Sequence, residues 1–345
     1  MKRYYVNMDD VTTEKAWKQF RRWRAERKVR LKQKDYSYVV PQAIPELDRL
    51  HANRTDTTVT WIGHSTFLLQ TGGLNIVTDP VWAESMAMEK RLAPPGIPID
   101  RIPPVDVILI SHSHYDHMHL SSIRRLMNPK TMLIVPGGLR SKMVRKGFSQ
   151  TIELDWWNDI VLGSVRITFV PAQHWTRRTL TDMNRSHWGG YVIERLQTEK
   201  PLEPNGRADN AAAVENTIYF AGDSGYFRGF ELIGNRFDID LALLPIGAYE
   251  PEWFMSPQHI TPEEALQVFE DVRAKVMIPM HYGAFKLADD TPREALDRLE
   301  AERIRRNMDR NRVRLLSLGE TWSPSEASAP NREASHNMGR ANARE

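Results

Sequence analysis

The chain has 345 residues, 41% of them hydrophobic and 26% charged, which excludes a disordered or collagen-like polymer and suits one decorated α/β unit or two domains. It contains no cysteine, so disulfides, thiolate ligands and cysteine nucleophiles are excluded and any metal must be held by His and carboxylate. The net charge of +3 is unevenly placed: residues 1–35 hold 12 Lys and Arg against 5 Asp and Glu, leaving the rest net acidic, which disfavours nucleic acid as a partner.

Residues 1–56 read as a basic arm. Within it, 12–34 predicts an amphipathic helix with Ala16, Trp17, Phe20, Trp23 and Leu31 on one face and Lys or Arg over most of the rest. Such a face either packs on the protein's own body or lies on an anionic membrane. No apolar run approaches the roughly 18 residues of a membrane-spanning helix, and the charged start leads into no apolar stretch. That combination predicts a cytoplasmic chain without a secretory signal, with peripheral membrane contact as an option. After Pro41 and Pro45 the pattern changes. Strand signals fall at 59–69, 74–78, 105–110, 131–135, 150–154 and 165–170, with helices between them at 120–126 and 138–146. A second series follows at 189–193, 217–221, 241–245 and 276–279, with helices at 262–273 and 293–306; Thr261, with Glu264 three residues on, predicts an N-cap. Residues 198–216 read as an inserted polar loop, and 323–345 as a tail without periodicity. Two strand series with interspersed helices over 57–322 predict two packed sheets covered by helices.

The strongest chemical signal is SHSHYDH, which places His112, His114, Asp116 and His117 directly after the apolar run VDVILI. On an extended segment His112, His114 and Asp116 project to one side. A core histidine explains one such residue, whereas four ligand-type side chains in six positions are costly to bury without a cation. Further polar residues follow apolar runs: His174 in PAQHW, Asp223 in AGDSGYF and His281 in MHYGAF. Each alone reads more readily as a buried structural residue than as a ligand; the repetition is what points to a site on one sheet edge. Asp79, before Pro80, either orients a ligand imidazole or makes an Asx turn.

The order His-x-His-x-Asp-His, then His174, Asp223 and His281, resembles the metallo-β-lactamase superfamily. WIGHSTFLL, ELDWW, PAQHW, RTLTD, AGDSGYF, IGAYEPEWFM and QHITPEEA look like the N-acyl-phosphatidylethanolamine-hydrolysing phospholipase D branch of it, over about 58–322. The resemblance implies a four-layer αββα sandwich with two Zn ions, Mn or Fe being alternatives. It implies His112, His114 and His174 on one ion, Asp116, His117 and His281 on the other, and Asp223 between them. Asp116 and Asp223 then serve catalysis as well, and His64 and His259 face the substrate phosphate or leaving group, unless they are structural. Trp156, Trp157, Tyr249, Trp253 and Phe254 are candidates for an acyl-chain cleft or for the core. The implied reaction is hydrolysis of an N-acylated ethanolamine phospholipid to phosphatidic acid and an N-acylethanolamine. Opening of a lactone, as in the ascorbate-phosphate lactonase branch, is the alternative; a non-enzymatic metal-binding regulator would need a lost ligand. A homo-oligomer is compatible with all of these readings.

Overall fold

The computed structural model describes residues 3–86, 89–197 and 213–324. The basic arm carries α1 (Trp17–Arg30) and the short α2 (Leu47–Ala52). Strands β1 (Thr58–Gly63), β2 (Thr66–Thr71) and β3 (Leu74–Thr78) form an antiparallel meander, followed by the small hairpin strands β4 (Ser85–Met86) and β5 (Glu89–Lys90). Next come β6 (Val107–Leu109), α3 (Leu120–Leu126), β7 (Met132–Pro136), α4 (Arg140–Arg145) and β8 (Thr151–Leu154). The second series is β9 (Asp159–Leu162), β10 (Val165–Val170), β11 (Gly190–Leu196), β12 (Val214–Phe220), α5 (Gly229–Arg236), β13 (Leu241–Pro245), α6 (Glu252–Met255), α7 (Pro262–Asp271), β14 (Val276–Met280), α8 (Pro292–Arg305) and β15 (Thr321–Trp322).

These strands make two sheets, ordered β15-β1-β2-β3-β6-β7-β8 and β14-β13-β12-β11-β10-β9. Each is antiparallel at one side and parallel at the other: from β3 through β6 and β7 to β8, and from β12 through β13 to β14, the neighbouring strands run parallel. Side chains of the first sheet alternate between two apolar layers, as the strand period of two requires. Trp61, Phe67, Leu69, Ile76 and Leu109 join Phe169, Tyr191 and Tyr219 of the second sheet. Their neighbours Ile62, Leu68, Val77 and Ile108 pack instead with Ile123, Leu126 and Met143 of α3 and α4. Both faces of the central strands are therefore buried, which is why β6, β7 and β13 read as near-continuous apolar runs. On the far side, Leu266 and Phe269 of α7 and Leu299 of α8 belong to the core of the second sheet. The result is the αββα sandwich. Thr261 and Thr291 both close capping boxes, with Glu264 and Glu294.

The structure corrects several element boundaries. The segment 59–69 is a hairpin rather than one strand, because Gly63 (φ 129°) and His64 (φ 56°) turn the chain; at Gly63 an added Cβ would meet Arg91 Nη2 at 2.8 Å. The sequence pattern does not predict the short, half-exposed edge strand β9, nor α5, whose Gly229 and Gly234 are poor helix formers. The loop expected at 198–216 is shorter, since Val214 and Asn216 already pair with β11; residues 198–212 lie outside the described residues, as does the tail from 325. Ser323, expected in that tail, is buried and donates to the Thr57 carbonyl at 3.0 Å.

The helix expected at 12–34 is α1 followed by a 3-10 turn over Leu31–Gln33. Its apolar face packs on the body: Trp23 stacks on Phe254 at 5.3 Å, and Phe20 lies against the same cluster. Arg27 and Arg30 meet the buried Asp289 carboxylate at 3.3 and 3.1 Å, and Lys34 reaches Glu250 at 2.7 Å. Trp17 alone of the expected aromatic face stays 71% exposed. Among the described residues, no helix is long and apolar enough to cross a membrane.

Candidate metal centre

Six strand ends deliver the site residues to one edge of the sandwich. His64 sits in the β1–β2 turn and Asp79 one residue after β3; the loop after β6 supplies His112, His114, Asp116 and His117. His174 follows β10, Asp223 follows β12 and His281 follows β14. His64, Asp79 and His281 adopt left-handed backbone, at φ 56°, 32° and 63°. Such conformations cost of order 1–3 kcal/mol each and persist where surrounding structure enforces them.

The donors gather in two groups. In one, His112 Nε2 and His174 Nε2 lie 2.9 and 3.2 Å from His114 Nδ1. In the other, His64 Nε2, His117 Nε2 and His281 Nε2 lie 3.0, 3.4 and 3.6 Å from Asp116 Oδ2. Asp223 stands between them: its Oδ2 is 3.1 Å from His117 Nε2 and 3.9 Å from His112 Nε2, His174 Nε2 and His259 Nδ1, while its Oδ1 is 3.2 Å from His281 Nε2. All the residues singled out in sequence for this chemistry thus meet in one place, including His259, which joins the His174 and Asp223 side.

The imidazole tautomers follow from the outer partners. His117 Nδ1 is 2.6 Å from Asp79 Oδ2. Ser111 donates to the same carboxylate through its amide, at 2.7 Å, and its hydroxyl, at 2.5 Å. A carboxylate receiving these bonds fixes His117 as a donor at Nδ1, so that Nε2 is the atom turned to the centre. The Ser111 hydroxyl, its proton committed to Asp79, accepts from His112 Nδ1 at 2.9 Å. Asp79 therefore sets one imidazole directly and a second through Ser111. His174 Nδ1 donates to the Gln258 carbonyl at 2.9 Å, so its Nε2 is also a bare lone pair.

Two committed lone pairs, on His112 and His174, point at His114 Nδ1, and one proton there could satisfy only one of them. A cation satisfies all three. Ligands at about 2.05 Å in tetrahedral geometry stand about 3.3 Å apart, close to the separations found. His117 Nε2, both nitrogens of His281 and Asp223 Oδ1 are likewise buried without a hydrogen-bond partner, an expensive arrangement for bare polar atoms. The set is all nitrogen and oxygen, and it fits divalent metal.

Electrostatics point the same way. Burial pushes His114 down to about 3 and His174 to about 4, and holds His112 and His259 well below the usual imidazole range, so these rings are neutral donors. Burial also opposes charge on Asp116 and Asp223, but the neighbouring His117 and His281 outweigh it and keep both carboxylates well below their ordinary value. Burial disfavours charge on His281 too, yet Asp223 and Asp116 lift it to about 9.

Other residues hold the clustered His and Asp residues in place without having been singled out. Arg178 Nη1 donates to the Ser113, His114 and Met118 carbonyls at 2.8, 3.3 and 2.9 Å and stacks over Tyr115. Its guanidinium ties together the two ends of the loop that carries His114, Asp116 and His117. The RTLTD motif contains it, and Asp182 of that motif accepts from Arg178 N and Thr179 N and pairs with Lys142. The aromatic residues considered for a cleft are engaged elsewhere. Trp156 packs on His187 and donates to the Trp188 carbonyl, and Tyr249 is fully buried beneath Arg298. Trp157 lies under Arg236, and Trp253 and Phe254 receive α1.

Comparison with known proteins agrees with this architecture. Residues 74–282 match the Beta-lactamase superfamily domain. The chain is 34% identical over 289 residues to N-acyl-phosphatidylethanolamine-hydrolyzing phospholipase D 1 of Caenorhabditis elegans, covering 77% of this chain and 76% of that one. It is 30% identical over 253 residues to a metal-dependent hydrolase of Pyrobaculum aerophilum, covering 70% and 92%. Among solved structures, the metallo hydrolase Igni18 of Ignicoccus hospitalis superposes with a TM-score of 0.54 at 23% identity, over 78% of this chain and 98% of that one. The chain belongs to the metallo-β-lactamase superfamily and is a metal-dependent hydrolase.

Proposed function

We propose that the centre holds two divalent cations, most fittingly zinc, and hydrolyses the phosphodiester of an N-acylated ethanolamine phospholipid to phosphatidic acid and an N-acylethanolamine. The observation that carries the reading is the placement of Asp223 between two separate donor groups. His112, His114 and His174 would hold one ion, Asp116, His117 and His281 the other, and Asp223 would serve both. When bound, the pair supplies Lewis acidity towards phosphoryl oxygens and lowers the pKa of water towards neutrality.

The chain's own residues do the rest. Asp79 and the Gln258 carbonyl keep the ligand lone pairs turned inwards. His64, bonded to Asp116, fixes that carboxylate. His259 has a neutral ring whose Nδ1 lacks a hydrogen-bond partner, and it can donate to a phosphate or leaving-group oxygen. An amphiphilic substrate is met at a membrane surface, to which α1 offers Trp17 with the exposed Lys18, Arg21, Arg24 and Lys28. Such cations contribute roughly 1 kcal/mol each near anionic lipid, an attraction screened by salt. The similarity to the C. elegans enzyme supports the same substrate class.

The test is hydrolysis of N-acyl-phosphatidylethanolamine vesicles in oxygen-18 water. Label in the phosphatidic acid supports attack at phosphorus; label only in the N-acylethanolamine, or no turnover by metal-loaded protein, refutes the reading.

A further inference from the structure

The amino-terminal segment reaches the centre well before the ligand motifs begin. Asn7, 7% exposed, lies across the backbone of His174. Its Oδ1 accepts from His174 N at 3.0 Å, and its Nδ2 donates to the His174 carbonyl at 2.9 Å. The same Oδ1 accepts from Trp188 Nε1 at 2.8 Å, and Nδ2 also donates to the Val11 carbonyl at 3.1 Å. Every donor and acceptor of the amide is thereby used.

The need for such a partner is local. Gln173 pairs through an isolated bridge with Gly225, its carbonyl accepting from Gly225 N at 2.8 Å. His174 comes one residue later, beyond β10, where no neighbouring strand meets its amide and carbonyl. Asn7 supplies with one side chain what a paired strand supplies with its backbone. With Nδ1 on the Gln258 carbonyl, His174 is fixed at three points, and only Nε2 is left to face His114 and Asp223.

Asn7 is itself anchored on both sides. Tyr5 N donates to the Asn184 carbonyl at 2.9 Å, and the Tyr5 ring stacks on His187 at 4.4 Å. Arg3 pairs with Asp155, and Asp9 with Arg228. The exposed ion pairs add little; the buried amide and the stacked ring carry the attachment.

We propose that Asn7 is a positioning residue of the metal centre, setting Nε2 of His174, so that the amino-terminal segment is part of the site rather than an appendage to it. The proposal rests on the reading of His174 as a ligand. It says that losing Asn7 weakens one ion of the pair, the one held by His112, His114 and His174, and leaves the other in place.

The experiment uses the full chain loaded with Co2+ and compares wild type, Asn7→Leu, Asn7→Asp and His174→Ala. Metal per chain and the ligand-field spectrum are followed during dialysis against graded chelator, with the melting of each metal-free protein measured in parallel. Asn7→Leu should release one equivalent at a free-metal level about 10–100 times higher than wild type needs, the range typical of lost outer-shell partners. That equivalent should be the one missing from His174→Ala, and the second should stay at its wild-type level. Asn7→Asp keeps the acceptor for His174 N and should fall between wild type and Asn7→Leu. Should Asn7→Leu not fold, Asn7→Asp alone must show the one-sided loosening. Wild-type retention of both ions, or equal loosening of both, would overturn the proposal. A wild-type chain that binds one ion would refute the two-ion reading; Asn7 is then judged on whether that ion loosens.

Discussion

Asp79→Asn is the substitution that separates tautomer control from packing. The change is nearly isosteric, yet it replaces a carboxylate that takes three donor bonds, at 2.7, 2.5 and 2.6 Å, with an amide that has one acceptor oxygen. With that oxygen on Ser111 N, the amide nitrogen faces His117 Nδ1 and presents hydrogens to it. The His117 proton must move to Nε2, the atom 3.1 Å from Asp223, and a protonated nitrogen cannot ligate. Loss of an outer-shell partner typically costs 10–100-fold in metal affinity, or about 1.4–2.8 kcal/mol, and an opposed tautomer puts Asp79→Asn at the upper end. Asp79→Ala imposes no tautomer, but leaves Ser111 N and His117 Nδ1 buried without a partner, at roughly 1–3 kcal/mol each in stability. Chelator competition on the loaded protein and thermal melting of the metal-free protein should therefore rank the two variants oppositely. Asn should bind metal more weakly, and Ala should melt lower. Wild-type metal affinity in Asp79→Asn, or the same order in both assays, refutes the assignment.

Arg178→Met removes the donor shared by three carbonyls of the ligand loop and should weaken metal retention and turnover together; Arg178→Lys, with one compact donor group, should recover part of each. The Asp290 carboxyl is pushed up to about 6 by burial, against the Ala248 and Glu250 amides that donate to it. A folded pKa above the unfolded one near 4 means that the protonated form favours folding. Stability should thus fall as pH rises from about 4 to about 6, and Asp290→Asn should flatten that slope in denaturant titrations; an unchanged slope counts against the buried-carboxyl account. Trp23→Ala should lower the melting temperature, through loss of the stack on Phe254 and the packing around it. The exposed Trp17→Ala should stay within about 0.5 kcal/mol of wild type and lose only sedimentation with anionic vesicles, an effect that salt should abolish.

The sandwich was legible because its central strands are buried on both faces and so spell long apolar runs, each ending at a polar residue. Composition and flanking Gly, Pro, Asn or Asp place β3, β10 and β13, and the interval between strands places α3, at the bounds the structure shows. These signals fail at β9, where alternate residues are exposed, and at the β1–β2 turn, where two positive φ angles reverse the chain without Pro or Asn-Gly. The donor residues were readable from the density of His and Asp in one loop. Their outer partners were not: Ser111 is an ordinary serine in sequence, and Gln258 acts through its carbonyl, to which any residue type could contribute. Arg178 stood inside a recognisable motif, but its role depends on carbonyls some 60 positions away. Asn7 carried no signal at all, because its partner is 167 residues distant. The arm reads as amphipathic, and its charge pattern does not distinguish a membrane from Phe254 and Asp289 as the surface that receives Trp23, Arg27 and Arg30.

The central claim is that two metal ions act as one unit around Asp223. It is tested most directly by adding zinc stepwise to metal-free protein while counting bound metal and measuring phosphodiester hydrolysis on the same samples, for wild type and Asp223→Ala. The account predicts that wild-type activity appears with the second equivalent, and that Asp223→Ala neither fills both positions at matched free zinc nor turns over. Full wild-type activity at one ion per chain, or an active Asp223→Ala, would contradict it.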